Sequence, residues 1–388
     1  MSQKSRNSLI NFPMDISVII VNYRVPYFLE LCLHSVRKAL QGLDGEIIVV
    51  DNHSGDGGVD LLRPLFPEVN WIVNTENEGF SRANNQALRR STGDNILFLN
   101  PDTVVPEDFV RRCISFIGTV RNAGGLGVRM IDGSGQFLKE SRRGFPTPWV
   151  AFCKLSGLTA LFPHSRHFAP YYLGHLPADR PHPAPVISGA CFWVSRPALD
   201  RTGPFDETFF MYAEDIDLSY RFESTGYTNY YFPDVTIIHF KGESTPKDFR
   251  YIRQFYKAII QFRRKHFKMS ALSQAGIEGA IWLRAAIGAI KVRTPRSSRA
   301  RSVWLTGDPE GIARLTSAAA VSSERTVASD EQHADEIVFC IGDEFSFRSA
   351  IEALEKKHPA QSAAFYAAGC HAVIGSARRD GKGEIWVL

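Results

Sequence analysis

The sequence predicts an α/β fold: a parallel sheet with helices on both faces, then a basic helical segment and a smaller α/β unit. Three aliphatic runs, ISVIIV (16–21), EIIVVD (46–51) and NILFLN (95–100), do not alternate with polar residues, as expected of strands buried on both faces. Helix-like segments, Tyr27 to Leu40 and Ser81 to Arg90, separate these runs and give β-α-β alternation. Near the C-terminus SVWLTGD, DEIVFCIGD and SAAFYAAGCHAVIGS, with SFRSAIEALEKK among them, repeat the pattern.

Between these ends the text is longer, aromatic and interrupted by proline. It predicts one more strand, Val186 to Val194, a helix from Ala213 through Glu223, and a short strand, Val235 to His239. Two helices follow, Phe249 to Phe267 and Ala275 to Val292, and TPRSSRARS (294–302) reads as a linker. The expected units are therefore 1–246, 247–301 and 302–388. The last has a Rossmann-like pattern without G-x-G-x-x-G, so dinucleotide binding does not follow.

An apolar content of 44% with 12% aromatic residues excludes a disordered chain. Cys32, Cys113, Cys153, Cys191, Cys340 and Cys370 are scattered without a C-x-x-C pair, which argues against a zinc site or a disulfide framework and for a reducing cytoplasm. MSQKSRNSLINFPMD has no apolar core of the kind a leader or anchor needs. The apolar stretch Ile277 to Ile290 is interrupted by Glu278 and Arg284 and is too short to span a bilayer. A soluble or peripheral protein is expected.

Net charge is only +4, but from Lys247 to Arg301 fourteen basic residues face only Asp248 and Glu278, so this segment carries +12 and the remainder −8. Such asymmetry marks a surface for an anionic partner, nucleic acid or phospholipid. Interleaved Ile, Phe, Trp and Leu favour an anionic membrane surface over nucleic acid, with each basic residue worth about 1 kcal/mol there. Trp149 to Phe162 offers a second apolar contact. A merely solvated basic face is the alternative.

In open sheets ligands bind outside the carboxyl ends of the strands. Asn22, Asp51 and Asp102 fall there. Asp102, in FLNPDT, suits a divalent cation, because Mg²⁺ or Mn²⁺ takes one or two carboxylates plus phosphate oxygens; an Asx-type turn, with Glu107 near the next helix start, explains it equally. Glu214, Asp215 and Asp217 open a helix, where the macrodipole favours acids. Three acids after the aromatic FFMY also suit a general base of raised pKa, and Glu214 and Asp217 share a face. His239 ends a β-branched run as either a structural histidine or a metal or phosphate contact.

DISVIIVNYR with LELCLHSV, EIIVVDNHSGD, NTENEGFSRANNQAL, GDNILFLNPDT, ISGACFWVSR and GPFDETFFMYAEDIDLSYRF together resemble the inverting glycosyltransferases of family 2, which have the GT-A fold. The match runs in order over residues 15 to 245 and looks most like bacterial rhamnosyltransferases of cell-surface polysaccharide assembly. The resemblance implies that Asn22, Asp51 and Asn52 line a nucleotide pocket, with Ser54 and Asp56 in the adjoining loop. It places Gly79, Phe80, Arg82 and Asn84 against the nucleotide and its phosphates. Asn100 and Asp102 stand at the family's D-x-D position, so that Asp102 is the main ligand for Mg²⁺ or Mn²⁺. Asp215, beside Glu214, would be the base of a single displacement, and Ser188, Gly189 and Trp193 would form an acceptor wall, a buried core Trp being the alternative for Trp193.

The implied donor is a nucleotide-sugar, dTDP-rhamnose in this subgroup. The implied acceptor is polyprenyl-linked or polysaccharide, met at the inner face of the cell membrane and without nucleic acid. Two other readings stand beside it. A nucleotidyltransferase would carry a Gly-rich, basic loop after the first strand, which IVNYRVPYF lacks. A binding module without catalysis would not need both Asp102 and Asp215. For residues 302–388 the analogy extends only to a regulatory or assembly role.

Overall fold

The computed structural model describes residues 16–241, 249–267, 279, 301–320, 325–375 and 383–388. In the N-terminal part β1 (Ile16–Asn22) leads into α1 (Pro26–Ala39), which starts with a proline in its first turn. Then come β2 (Gly45–Asp51), α2 (Gly58–Leu62), β3 (Val69–Val73), α3 (Phe80–Leu88), β4 (Asn95–Leu99), the two-residue β5 (Thr103–Val104), α4 (Phe109–Ile117) and β6 (Ala123–Ile131). The middle is built of short pieces: β7 (Arg142–Arg143), α5 (Pro148–Leu155), α6 (Leu158–Leu161), β8 (His182–Pro183), β9 (Val186–Ile187), β10 (Cys191–Ser195) and α7 (Arg196–Thr202). This part closes with α8 (Glu214–Ser224) and β11 (Thr228–His239), and α9 (Phe249–His266) follows.

The main sheet runs β3-β2-β1-β4-β10-β6-β11-β5, with β8 added on β11. Strands β1 to β4 are parallel, but β10 is antiparallel to both its neighbours, so the sheet is mixed and not purely parallel as the sequence suggested. The expected strand Val186 to Val194 is two strands, broken where Ser188, Gly189 and Ala190 turn toward the site. Strand β11 starts seven residues before Val235; a register shift between Phe232 and Thr236 lets Pro233 pass without ladder bonding.

The C-terminal part contains β12 (Arg301–Gly307), α10 (Pro309–Ala320), β13 (Arg325–Val327), β14 (Glu336–Ile341), α11 (Phe347–Lys356), β15 (Ser362–Ala367), β16 (Ala372–Gly375) and β17 (Glu384–Val387). Its sheet runs β13-β12-β14-β15-β16-β17, parallel through β15 and antiparallel beyond. Arg301 and Ser302, read as linker, already belong to β12. The expected helix Ala275 to Val292 lies outside the described residues.

The two sheets share one apolar cluster. Val25, Phe28, Leu31, Val104, Ile238 and Phe240 of the first half are buried with Ile337, Phe339, Leu354 and Phe365 of the second. Phe240 bridges them, its ring 5.3 Å from Phe28 and 5.5 Å from Phe365. Polar contacts surround this seam. Glu107 stands just before α4, as the sequence placed it, and accepts the Phe347 and Arg348 amides at 2.7 and 3.1 Å, so that it caps α11. Arg348 pairs with Asp108, and Arg129 with Glu355 at 2.6 Å. Among the described residues no helix is long and apolar enough to cross a membrane.

Emptying the Phe240 site should loosen both halves together. Phe240→Ala is expected to cost about 3–5 kcal/mol, the usual range for a buried Phe, read from a denaturant curve with probes in both halves moving to lower denaturant together.

Candidate active site

Asn22 and Asp51 end neighbouring parallel strands in direct register, so their side chains meet at the carboxyl edge of the sheet. Asn22 Nδ2 donates to Asp51 Oδ1 at 2.8 Å and to Ser54 Oγ at 3.2 Å, while the Ser54 amide donates to Asp51 Oδ2 at 3.0 Å. Asn22 Oδ1 is buried without a protein donor and is therefore able to accept a bond from a ligand.

Other residues expected to face a nucleotide are committed to the protein itself. The Asn52 side chain donates to Asn77 Oδ1 at 2.9 Å and to the Gly79 carbonyl at 3.2 Å, and accepts from Asn74 Nδ2 and the Glu78 amide, each at 3.0 Å. It stitches the 74–79 loop. Gly79 has φ +81°, and a Cβ there would lie 2.5 Å from the Phe210 carbonyl, so the close approach that needs glycine is to the chain's own loop. The Phe80 amide donates to that carbonyl at 2.7 Å and its ring packs edge-on against Phe205. Asn84 is buried and bonds the Phe80 carbonyl. Arg82 is exposed and paired with Glu78 at 3.5 Å and Glu207 at 3.6 Å, so it reaches a phosphate only by leaving them.

At the next strand end Asp102 is buried, with Oδ1 3.4 Å from His239 Nε2. The antiparallel pairing of β5 with β11 sets Thr103 opposite His239, and the Phe240 amide donates to the Asp102 carbonyl at 3.0 Å. His239 Nδ1 is buried and unpartnered. One carboxylate oxygen and one imidazole nitrogen this close fit two positions of a divalent ion, leaving the others to phosphate oxygens and water. Lys241 pairs with Glu140 beside them, and although burial alone would raise it, Lys241 holds the Glu140 carboxyl below its usual range.

The third group begins where the chain turns back. The Asn100 amide donates to the Ala190 carbonyl at 2.9 Å, and the neighbouring Gly189 amide donates to Asp215 Oδ2 at 3.0 Å. Half-buried Ser188 accepts from the Ala190 amide at 3.4 Å. The loop that carries Asn100 and Asp102 and the acid at the start of α8 thus belong to one bonded unit. Arg143 donates to Asp215 Oδ2 at 2.5 Å, and although burial opposes its charge, Asp215 and Tyr171 keep the guanidinium firmly protonated. Glu214 beside it behaves differently: burial, then the Asp215 charge, pushes its pKa up to about 8, and Oε2 has no partner.

Asp217 is fully buried and accepts from Arg221 at 2.8 Å, Lys265 at 2.7 Å and His266 at 2.6 Å, locking α9 against α8. Part of the basic segment thus faces inward, since Lys265 pairs with Asp217 and Asp206, and Arg263 is buried. Trp193 is likewise not an acceptor platform. It is 1% exposed, lies 6.3 Å from the Phe109 ring and donates to Asn95 at 3.2 Å, a core residue under the sheet. Sequence reasoning missed Arg143, Glu140 and Lys241; the arginine pair in KESRRGF was the available signal, but nothing in it names Asp215 as partner.

Two outcomes follow from these environments. A raised carboxyl pKa means the folded chain binds the proton more tightly than the unfolded one, so Glu214 costs stability as pH rises from its ordinary range to about 8. Glu214→Gln should therefore gain in melting temperature over wild type, with a gap that widens between pH 5 and pH 8.5. Asp217→Asn should cost about 2–4 kcal/mol, below the value for a fully buried pair because Lys265 is partly exposed, measured by chemical denaturation.

Residues 17–203 match the sequence model of Glycosyl transferase family 2. A 243-residue stretch is 26% identical to N-acetylglucosaminyl-diphospho-decaprenol L-rhamnosyltransferase of Mycobacterium tuberculosis, covering 60% of this chain and 78% of that protein. The low-salt glycan biosynthesis hexosyltransferase Agl10 of Haloferax volcanii is 26% identical over 270 residues, 68% of this chain and 78% of that one. Among solved structures, a mannosyltransferase of Pyrobaculum calidifontis in complex with GDP-Man and Mn²⁺ superposes with a TM-score of 0.46 at 19% identity, over 79% of this chain and 76% of that one. The chain thus carries a Glycosyl transferase family 2 domain over residues 17–203 and is a glycosyltransferase.

Proposed function

We propose that this enzyme is a metal-dependent inverting glycosyltransferase that moves a hexose, rhamnose from dTDP-rhamnose, onto a polyprenyl-linked or polysaccharide acceptor in cell-envelope glycan synthesis. The observation that carries the proposal is the continuous bonded unit from Asp102 and His239 through Asn100, Ala190 and Gly189 to Asp215. It joins the Asp102–His239 pair and Asp215 along one edge. The mycobacterial relative, an N-acetylglucosaminyl-diphospho-decaprenol L-rhamnosyltransferase, supports the sugar and the lipid diphosphate.

Asp102 and His239 would hold Mg²⁺ or Mn²⁺, which when bound supplies Lewis-acid neutralisation of the diphosphate. Asn22 Oδ1 would take a hydrogen bond from the base. Asp215 would remove the acceptor hydroxyl proton at a carboxylate oxygen, while Arg143 and the Gly189 amide fix its orientation. The hydroxyl oxygen then attacks the sugar's anomeric carbon opposite the diphosphate, and one displacement inverts it. Glu214, protonated near neutrality, adds no second negative charge beside the base.

A surface for a lipid-linked acceptor is available. Trp149, Phe152, Leu161 and Phe162 are about half or more exposed on α5 and α6, and α9 presents Arg253, Lys257 and Arg264 to solvent. These features suit peripheral contact with the inner, anionic membrane face.

Nucleotide-sugar hydrolysis with Mn²⁺, followed by transfer to a polyprenyl-diphosphate glycolipid, tests the reading. Asp215→Asn should lower transfer by roughly 10²–10⁴-fold with nucleotide affinity unchanged, and Asp102→Ala should abolish metal-dependent donor cleavage. Absence of turnover for every donor would sink the assignment. In flotation with anionic vesicles, Trp149→Ser with Phe152→Ser should leave most of the protein unbound where wild type floats.

A further inference from the structure

We propose that Glu30, His34 and Cys370 form a zinc-type metal site at the seam between α1 and the turn joining β15 to β16. Glu30 and His34 are four residues apart on α1 and so share a face. Cys370 comes from the other sheet, yet one ligand atom from each residue lies within 4.8 Å of the others. The spacing of cysteines along the chain argues against a zinc site, but Cys370 lies more than three hundred residues from Glu30 and His34, and only the docking of the two sheets brings them together.

The surroundings are those of a ligand site. Glu30 and Cys370 are buried, and His34 Nε2 is buried with no hydrogen-bond partner. The turn lies directly over that imidazole: a Cβ at Gly369, where φ is +92°, would be 3.6 Å from His34 Cε1 and 3.9 Å from Nε2. His371 holds the Glu30 carboxylate from outside, through its amide at 3.1 Å and Nδ1 at 2.7 Å, as outer partners orient ligating groups in metal centres.

The donor set selects the ion. A thiolate, an imidazole and a carboxylate together suit zinc and disfavour Mg²⁺ or Ca²⁺, which prefer oxygen alone. A thiolate and a carboxylate also neutralise a dication in a site closed to solvent. Tetrahedral zinc sets its ligand atoms roughly 3.5 Å apart, and with the present atoms within 4.8 Å of one another the trio must contract by about 1.3 Å at most, within the reach of side-chain adjustment. A metal here ties α1 to the second sheet, and this proposal does not depend on which sugar is transferred.

Cobalt substitution of the full chain is the test. Chelator-treated protein titrated with Co²⁺ should develop a thiolate-to-cobalt charge-transfer band in the near ultraviolet, saturating at one ion per chain and bleached by Zn²⁺. Cys370→Ser should abolish the band, and His34→Gln should weaken the ion's affinity tenfold or more, with circular dichroism checking that each variant is folded. Asp102 and His239 supply no thiolate and so no such band. A wild-type chain without the band, or a band retained in Cys370→Ser, overturns the assignment.

Discussion

The single hydrogen bond from the Phe240 amide to the Asp102 carbonyl closes the active edge of the sheet. It extends a two-residue strand pairing that would be marginal alone. On one side of it His239 and Asp102 face each other as candidate cation ligands. On the other, the Phe240 ring is driven into the apolar cluster shared with the C-terminal sheet. The position of the chemistry and the burial of the seam are thus one constraint, since neither side chain can shift without dragging the other's backbone.

The same economy appears around Asp215. Acids at a helix start are favoured in general, yet here three neighbours have three fates. Asp215 is held by Arg143 and a backbone amide, Asp217 disappears under Arg221, Lys265 and His266 of α8 and α9, and Glu214 keeps its proton because it is buried beside Asp215. Environment, not residue type, separates these roles. The ordering of α9 against α8 therefore sits next to the candidate base, and the basic segment is part of the site's support as well as a surface.

Much of the architecture was legible because it rests on local pattern. The unalternating runs at β1, β2 and β4, the helix α8, and the repeat in the C-terminal sheet follow from periodicity alone, and the strand-end residues Asn22, Asp51 and Asp102 follow from topology. What escaped depended on long-range geometry. Pro233 hid the first half of β11, because the register shift that tolerates it is a property of the pair and not of the strand. Trp193 looked like a sugar platform because its apolar neighbours read the same in a wall or a core. Asn52 and Gly79 lie in the expected loop, but their bonds go to the chain's own backbone and to the Phe210 loop. Arg143 was marked only by the arginine pair it belongs to, and its partner Asp215 lies 72 residues on.

The shared apolar cluster bears on how such a chain is inherited. Sequence pattern divides it into units that look exchangeable, but Val104, Ile238 and Phe240 belong to strands that carry the site and are covered by Phe365 and its neighbours. A catalytic half passed on without its companion would expose a sticky apolar face beside Asp102 and His239. The two sheets are therefore bound to change together, and a recombination breakpoint between them would be selected against even if each half kept every residue its chemistry requires.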